Sequence, residues 1–524
     1  MELPTLIIFL VAAPLLAAVL MAALPSRLLP SLFYEAIHMA SVAVVCALSC
    51  YLAFVAATGN EAIYALGGWL YLDALGAVFI FIIGAIGLLT GWHSLSSIRH
   101  DLEEGAFTPS RLKQYYVFFN LFVFTMLMVA LSNNVITMWV AVEATTLATV
   151  FMVGAYNTKL SLEAAWKYVI VCTVGVAFGL YGTLLVYANA ADIMPDPHQA
   201  VFWTSLMPYA PQFDAMLIQI AFVFVVIGFG TKAGLFPMHT WLPDAYSEAP
   251  GSASALLSGA SSKCAVLIII RFYTIAVETV GSSFPQIIMM SIGILSVVLA
   301  AFAVFRQDDL KRKLAYSSVK NIGIVALCLG FGGPYGVAAA LLHCVMHGFT
   351  KALVFCLSGS VQAKYKTRDL TKIKGIIEAA PATAVLMIIG LIALSGFPLS
   401  AMFISEVMAF VAGVVSGSIG LVIILGLALA IVIAAFMLVI AKSVLGKAPD
   451  GMKKKNSGVA TLIPEAILAA VIIWFGVAPP PPMIRGIEAA TAIVLHHKEG
   501  DVFDVPILKY LFASAGSSGR ATGE

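Results

Sequence analysis

Apolar runs of about twenty residues follow one another along almost the whole chain, and no other feature limits the possible folds as strongly. A run of that length lets an α-helix cross a bilayer, and a helix satisfies its own backbone hydrogen bonds inside lipid. Of the 524 residues, 61% are hydrophobic and 11% are charged, whereas soluble domains carry about 25% charged residues. The chain is therefore predicted to be an all-α polytopic membrane protein.

We predict about fourteen spanning helices. They cover residues 3–24, 31–57, 73–93, 114–131, 133–154, 162–189, 215–246, 251–276, 285–305, 312–331, 334–361, 379–413, 417–443 and 459–478. The loops support this even number, because lysine and arginine fall only in alternate loops. The basic loops carry Arg27, Arg99, Arg111, Lys113, Lys159, Arg306, Lys311, Arg312, Lys313, Lys364, Lys366, Arg368, Lys372, Lys374, Lys447, Lys453, Lys454 and Lys455. The positive-inside rule then places the basic loops in the cytoplasm and both termini outside.

Two of the predicted helices are interrupted. In helix 7, Lys232 is followed by Pro237, Pro243 and Pro250, each of which removes a backbone donor that a continuous helix would use. Helix 12 is interrupted by Gly-Phe-Pro at 396–398. Broken helices that carry charges are typical of ion pathways in transporters. The alternative is a re-entrant structural loop whose lysine snorkels to the surface.

The two breaks occupy matching places in two runs of five helices, helices 4–8 and helices 9–13. Because five is odd, the second run is expected to be inverted in the membrane, as in secondary transporters. The predicted segments are helices 1–3 in 1–113, the first run in 114–276, the second run in 285–443, helix 14 in 444–482, and an interfacial amphipathic segment with a disordered tail in 483–524.

Charged side chains at membrane depth cost about 2.5–3.5 kcal/mol each on insertion scales, so each of them needs a reason. Glu143 lies in the middle of helix 5 with no basic neighbour in sequence, and Lys232 is its natural tertiary partner. Separation of this pair would make the lysine release its proton, whereas a static structural ion pair is the alternative. Lys263, in the first turns of helix 8, is either the next proton acceptor or a lysine that snorkels from a helix end.

Helix 11 carries His343, His347 and Lys351 at a spacing of four residues, which places them on one stripe. Histidine titrates near neutral pH, so this stripe favours a proton relay. Metal ligation would need a third ligand, and the glutamate of an HExxH motif does not lie between these histidines. Hydrogen-bonded core histidines are the remaining alternative. Glu406 follows the second break, in the place that Lys232 holds in the first run, or it is a structural carboxylate.

Weaker candidates surround these positions: Lys167, His239, Asp244 and Lys320. Lys167 lies near the start of helix 6, at a spacing of four from Glu163, and is placed to modulate the Glu143–Lys232 pair. His239 and Asp244 lie in the broken stretch of helix 7 and are candidates to line its cavity. Lys320 is either the second-run counterpart of Glu143 or a lysine at the cytoplasmic end of helix 10.

Other classes of site are disfavoured. The seven cysteines form no CxxC pair and fall in apolar stretches, so they are expected to be small core residues rather than iron–sulfur ligands. No dinucleotide fingerprint is present at the required spacing, and no basic cluster interleaved with aromatics predicts nucleic-acid binding. We therefore expect no metal and no cofactor on this chain, so that any redox chemistry belongs to partner subunits.

Three segments carry a family resemblance: KAGLFPMHTWLPDAYSEAP from Lys232, DLKRKLAYSSVKNIG and LLHCVMHGFTKALVFCLSGSV. They resemble the antiporter-like membrane subunits of respiratory complex I, of Mrp-type cation/proton antiporters and of group 4 hydrogenases, over roughly residues 70–480. The segments LDALGAVFIFIIGAIGLLTG and FVFVVIGFGTKAGLFPMH look most like the hydrogenase-4 component F type. The resemblance implies a hydrated axis through the membrane centre, formed by Glu143, Lys232, Lys263, His343, His347, Lys351 and Glu406.

The resemblance implies a proton-translocating subunit of a membrane-bound oxidoreductase of the hydrogenase-4 or formate-hydrogenlyase type. Its partners would be other membrane subunits and peripheral subunits that hold a nickel–iron centre and iron–sulfur clusters, in a bacterial-type inner membrane. Whether the chain counts as an enzyme is open, since no catalytic cofactor site is expected on it. The same residues would also serve an Mrp-type Na⁺/H⁺ antiporter subunit or an inorganic-carbon-uptake transporter subunit. A structural membrane anchor that does not pump is the third possibility.

Overall fold

The computed structural model describes residues 2–25, 30–59, 61–452, 454 and 456–496, and these residues form a bundle of helices. The long helices are α1 (Leu3–Ala23), α2 (Ser31–Thr58), α3 (Ala74–Glu103), α4 (Pro109–Leu131), α5 (Val135–Val153), α6 (Lys159–Ile193), α7a (Ala215–Ala233), α7b (Leu242–Glu248), α8 (Gly251–Val280), α9 (Ser283–Arg306), α10 (Leu310–Phe331), α11 (Gly333–Tyr365), α12a (Pro381–Leu394), α12b (Ala401–Val415), α13 (Ile419–Val444), α14 (Val459–Val477) and α15 (Pro481–Leu495). Shorter helical pieces cover Leu66–Gly68, Pro197–Val201, Trp203–Leu206, Met207–Gln212, Met238–Trp241 and Ile376–Ala379. A two-stranded antiparallel hairpin joins β1 (Ile63–Ala65) to β2 (Leu70–Leu72).

The fourteen predicted helices are present. Within the described ranges, 13 helices are long and apolar enough to cross a membrane, counting α7a and α7b as one. The fourteenth is α12, which falls into the two shorter apolar pieces α12a and α12b. The chain is therefore a multi-pass integral membrane protein, as predicted.

The largest boundary difference is in α3, which runs ten residues past the predicted end at residue 93. This extension is polar, but its side chains contact α2 and the turn between α5 and α6. Arg99 pairs with the buried carboxylate of Glu35 on α2, and Asp101 accepts a hydrogen bond from Tyr156 at 2.9 Å. A hydropathy window cannot register a helix end that is stabilised by such tertiary contacts.

The C-terminal segment also differs in its surroundings. The predicted amphipathic helix is α15, and its buried residues Ile487, Ala490 and Val494 lie on the side that packs against α2, α3 and α11. It therefore lies against the bundle. The predicted disordered tail, together with Arg27, Lys453 and Lys455, lies outside the described residues.

The loops gather at two ends of the bundle in the two sets predicted from their charge. At one end the β-hairpin meets the α4–α5 loop, where the Asn133 amide donates to the Trp69 carbonyl at 2.9 Å. At the other end, which we call the basic end, the Leu310 amide donates to the Arg368 carbonyl at 2.9 Å. Lys366 pairs there with Glu104 at 2.9 Å, and this ammonium lowers the pKa of the Glu104 carboxyl. The grouping confirms the even helix count, while the cytoplasmic location of the basic end stays a prediction.

Burial separates central helices from peripheral ones. In α8 and α11 the most apolar stretch of the helix is entirely buried, and in α10 94% of it is buried. In α6 and α9 only 39% of the corresponding stretch is buried. The helices α8, α10 and α11 are therefore surrounded by other helices, and the exposed apolar faces of α6 and α9 are suited to contact lipid. The fully buried lysines of these three helices, Lys263, Lys320 and Lys351, therefore do not reach the surface by snorkelling.

The break between α7a and α7b is held by specific hydrogen bonds. The helix α7a ends at Gly234, whose φ of +90° suits glycine. The indole nitrogen of the buried Trp241 donates to the Thr231 carbonyl at 2.9 Å, and the Phe236 amide donates to the Ser296 hydroxyl at 2.9 Å. The backbone groups released by the break are thus paired inside the protein, which non-helical backbone at membrane depth requires.

Replacement of Trp241 by phenylalanine should therefore destabilise the break. The variant loses the bond to the Thr231 carbonyl and leaves a small void, at a cost of about 1–3 kcal/mol. We expect a lower thermal unfolding temperature for the detergent-purified protein. Trp474→Phe is the matched control, because Trp474 is 55% exposed and should tolerate the change. Equal unfolding temperatures for the two variants would contradict this account of the break.

Candidate functional site

Lys232 is the first buried charge of the predicted axis and lies in the last turn of α7a. Its ammonium donates to the Thr146 hydroxyl at 2.9 Å and to the Tyr168 hydroxyl at 2.6 Å, and it lies 4.8 Å from the centre of the Tyr168 ring. Two hydroxyls and an aromatic face thus take the place of water around this cation. The site keeps a lysine at membrane depth without pairing it directly to an anion.

The expected Glu143–Lys232 ion pair is not formed. One carboxylate oxygen of Glu143 accepts from the Thr173 hydroxyl at 2.7 Å, and the other is buried without a hydrogen-bond partner. The two residues still interact electrostatically. The prediction of direct contact was wrong, because the Lys232 ammonium is directed to the hydroxyls of Thr146 on α5 and Tyr168 on α6, whereas Glu143 bonds to Thr173.

The predicted supporting residues of the first run lie closer to the surface. Lys167 pairs with Glu163 at 2.7 Å and with Asp244 at 3.3 Å, and its side chain is about half exposed. Asp244 also binds Arg312 at 2.9 Å, so it joins α7b to α6 and α10. His239 is partly buried, between the rings of Phe236 and Tyr316. Lys167 therefore belongs to a peripheral ion-pair network and does not contact Glu143.

Lys263 is fully buried in α8, so it does not snorkel. Its ammonium donates to the Ser258 carbonyl, beside the π-helical turn Leu257–Ser261. Such turns within an α-helix are frequently found at functional sites. The Ser258 hydroxyl in turn bonds to the Ser318 hydroxyl on α10 at 2.8 Å.

Lys351 lies on the other side of the same serine pair. Its ammonium donates to the Leu314 carbonyl at 2.6 Å and to the hydroxyl of Ser317, the neighbour of Ser318. The Ser317 hydroxyl of α10 therefore contacts Lys351, and the Ser318 hydroxyl contacts the turn that holds Lys263. This arrangement provides exchangeable protons between two buried amines.

The two histidines of α11 share the predicted stripe, with ring centres 6.0 Å apart and nearly parallel planes. His343 has a partner on each nitrogen, Ser405 at 2.9 Å and Asn321 at 3.3 Å. His347 is fully buried, and neither of its nitrogens has a hydrogen-bond partner. An imidazole with two free nitrogens is available to water or to a moving proton. Among the described residues, no group of three or more His, Cys, Asp or Glu is placed to hold a metal ion.

The stripe leads to a buried ion pair. Lys320 of α10 donates to a Glu406 carboxylate oxygen at 3.0 Å, with side chains that are 1% and 8% exposed. Lys320 is thus not a surface lysine at a helix end, which the sequence had left open. Glu406 packs so closely on the α12 break that a Cβ at Gly396 would lie 1.9 Å from its second oxygen.

The charges of the two runs follow one pattern with exchanged signs. In the first run, the acid Glu143 is on α5 and the base Lys232 is on α7a. In the second run, the base Lys320 is on α10 and the acid Glu406 is on α12b. Lys232 precedes its break, whereas Glu406 follows its own, so the inverted relation of the runs stays a prediction. The two pairs also differ in contact: Lys320 and Glu406 form a direct ion pair, whereas Glu143 and Lys232 do not.

Sequence reasoning missed three long-range acid–base pairs among the described residues, two of them buried and one that joins the buried Glu35 to the half-exposed Arg99. They are Asp73–Arg271 at 2.6 Å, Glu35–Arg99, and His93–Glu465 at 3.2 Å. Arg271 and Glu465 stand in apolar runs and were visible as isolated charges. Their partners come from distant helices and carry no local signal. The cysteine prediction was partly wrong, because Cys50 is exposed on α2, although five of the seven are buried.

Known proteins share both the sequence and the fold. The transmembrane family described as NADH:quinone oxidoreductase/Mrp antiporter matches residues 132–433. A hydrogenase-4 component F homolog of Methylacidiphilum infernorum is 37% identical over 65% of this chain and 71% of its own length. Hydrogenase-4 component B of Escherichia coli is 29% identical, and the chain spans only 50% of its length.

Solved structures agree on the fold. A chain of an archaeal membrane-bound sulfane sulfur reductase superposes with a TM-score of 0.84 at 23% identity, covering 93% of this chain and 97% of its own. A chain of the Mrp complex from Dietzia superposes with a TM-score of 0.82 at 17% identity, covering 98% and 100%. At these identities the likeness concerns architecture alone.

Proposed function

This chain belongs to the NADH:quinone oxidoreductase/Mrp antiporter membrane family, and we propose that it translocates protons as an antiporter-like subunit of a membrane-bound oxidoreductase. The observation that carries the proposal is a succession of ionisable side chains at membrane depth, which begins at the half-buried Glu143 on α5 and continues with buried groups on α7a, α8, α10, α11 and α12b. Buried ionisable groups are expensive in a membrane protein and mark ion pathways. Here they follow one another across the bundle, and hydroxyl groups contact Lys232, Lys351 and His343.

The proposed sequence of events starts near Glu143 and Lys232. A change of charge in a partner subunit would shift the balance between these two residues, and Lys232 would pass its proton on. The proton would then reach Lys263, the hydroxyls of Ser258 and Ser318, and the α11 stripe. Opening of the Lys320–Glu406 pair would release a proton on the far side of the pathway.

In this proposal a redox step in the partner subunits supplies the energy for moving the proton. Moving one charge across the membrane costs about 2.3 kcal/mol per 100 mV. One relative is a component of hydrogenase-4, and another is a homolog of such a component. In this proposal the partner subunits of the chain therefore hold a nickel–iron centre and iron–sulfur clusters. The other membrane subunits of such a complex would pack beside this chain, and its basic end would face the cytoplasm.

Purification of the tagged chain in mild detergent, with its partners identified by mass spectrometry, tests the assignment. Nickel–iron and iron–sulfur subunits should co-purify. The same complex in proteoliposomes should change the lumenal pH when redox turnover with dihydrogen or reduced viologen begins. Recovery with small membrane subunits alone, together with a pH gradient that collapses on addition of Na⁺, would overturn the proposal and favour the Na⁺/H⁺ antiporter.

Lys232→Met tests the role of the chain within that complex. It should lower proton translocation at least tenfold while redox turnover persists. A methionine beside the hydroxyls of Thr146 and Tyr168 has no group that can carry a proton. Lys159→Met is the matched control, since Lys159 is an exposed lysine at the start of α6. Unchanged pumping by the Lys232 variant would contradict the proposal.

A further inference from the structure

A cavity opens into the bundle at the basic end. This cavity has a volume of about 1250 Å³ and reaches from the rim residues Glu104 and Lys366 to His93 on α3. It lies apart from the axis of buried charges described above. Its lining carries both signs of charge, including Arg99, Asp101 and the buried Lys311.

The inner end of the cavity holds a buried acid and base. His93 lines the cavity but is only 1% exposed, and its Nε2 lies 3.2 Å from a carboxylate oxygen of Glu465 on α14, which is fully buried. The same oxygen accepts from the Ser360 hydroxyl on α11 at 2.8 Å. His93 Nδ1 and the second carboxylate oxygen have no hydrogen-bond partner. Buried polar atoms without a partner are rare in native proteins and call for a ligand or water.

Other titratable and hydroxyl groups lie near this pair. Cys356 on α11 interacts electrostatically with His93 and with Tyr115 on α4. The Tyr115 hydroxyl bonds to Ser252 at 2.7 Å, at the start of α8. Further along α8 come Ser258 and then Lys263. The pair is thus placed between an opening to solvent and the helix that carries the next buried amine.

We propose that His93 and Glu465 form the port through which protons enter the bundle from the basic end. The inference rests on the proposed function and adds the uptake site to it. A proton taken from cavity water at His93 Nδ1 would be shared with Glu465 through Nε2. It would then pass to the hydroxyls at the start of α8, and no oxidant or other reactant is needed.

The test uses the purified complex with its partners in proteoliposomes. His93→Ala and Glu465→Gln should each lower proton translocation at least tenfold, and Glu465→Asp should keep a measurable part of it. Added imidazole should restore the His93→Ala variant at least threefold, because the cavity admits a molecule of that size. The far weaker base 1,2,4-triazole should not restore it, whereas both would do so if His93 only filled space.

Two controls separate the possible failures. His100→Gln changes an exposed histidine at the rim of the same cavity and should pump within twofold of the unchanged complex. If Lys232→Met abolishes pumping while His93→Ala and Glu465→Gln do not, the port is overturned and the proposed function stands. If none of the three lowers pumping, the proposed function itself fails. Should His93→Ala not assemble, His93→Gln replaces it, with the co-purified subunits as the check on assembly.

Discussion

Glu406→Gln should abolish proton translocation and destabilise the protein at the same time. The change removes the negative charge from the buried pair and leaves the Lys320 ammonium uncompensated, and breaking a buried pair in this way costs about 3–5 kcal/mol. The variant also lacks the group that would release the proton. We expect at least a tenfold loss of pumping in proteoliposomes and a clearly lower unfolding temperature in detergent.

The double variant Lys320→Met with Glu406→Met separates these two effects. Replacing both members of a buried pair by apolar residues of similar volume is often neutral or stabilising. The double variant should therefore recover the unfolding temperature but not the pumping. Pumping by the double variant would show that this pair is structural and that protons leave elsewhere.

Gly396→Ala should lower proton translocation nearly as much as Glu406→Gln, although it replaces no charged residue. The added Cβ would lie 1.9 Å from a Glu406 carboxylate oxygen, so the carboxylate must move away from its position beside Lys320. The backbone φ of +66° adds strain of roughly 1–2 kcal/mol for any residue with a Cβ. We expect pumping to fall at least tenfold and the unfolding temperature to drop.

Gly417→Ala is the matched control for this variant. Its φ of +75° imposes the same kind of backbone strain, but nothing lies within 4 Å of the new Cβ. It should lower the unfolding temperature modestly and leave pumping within about twofold, if the strain of roughly 1–2 kcal/mol is its only effect. Equal losses of pumping in the two glycine variants would show that strain, rather than displacement of Glu406, is responsible.

Much of the architecture could be predicted because it depends on local properties of the chain. The length of each apolar run sets a helix, and Pro237 and Gly396 mark the places where a helix must end. The alternation of basic loops gave an even helix count, and the loops do gather in those two sets. Lys263 and the α11 stripe stand out since a charge within an apolar run is visible without knowledge of its neighbours.

The residues that each buried charge contacts could not be predicted with the same success, because these contacts depend on how distant helices pack. Glu143 and Lys232 look complementary in sequence, yet the hydroxyls of Thr146 and Tyr168 take the lysine's hydrogen bonds. Lys320 resembles a lysine near a helix end, and only the burial of α10 places it against Glu406. His93 and Glu465 lie far apart in the chain, and only the packing of α3 against α14 and α11 brings them to one cavity.

The sequence by itself determined that this chain crosses the membrane many times, where two of its helices break, and which residue types stand at membrane depth. These outcomes follow from hydropathy and backbone chemistry, which act over a turn or two of helix. The tertiary structure decided which charges meet, which are held by hydroxyls and which face a cavity. Those choices depend on distances of a few ångströms between helices, because hydrogen bonds and buried ion pairs form only at that range.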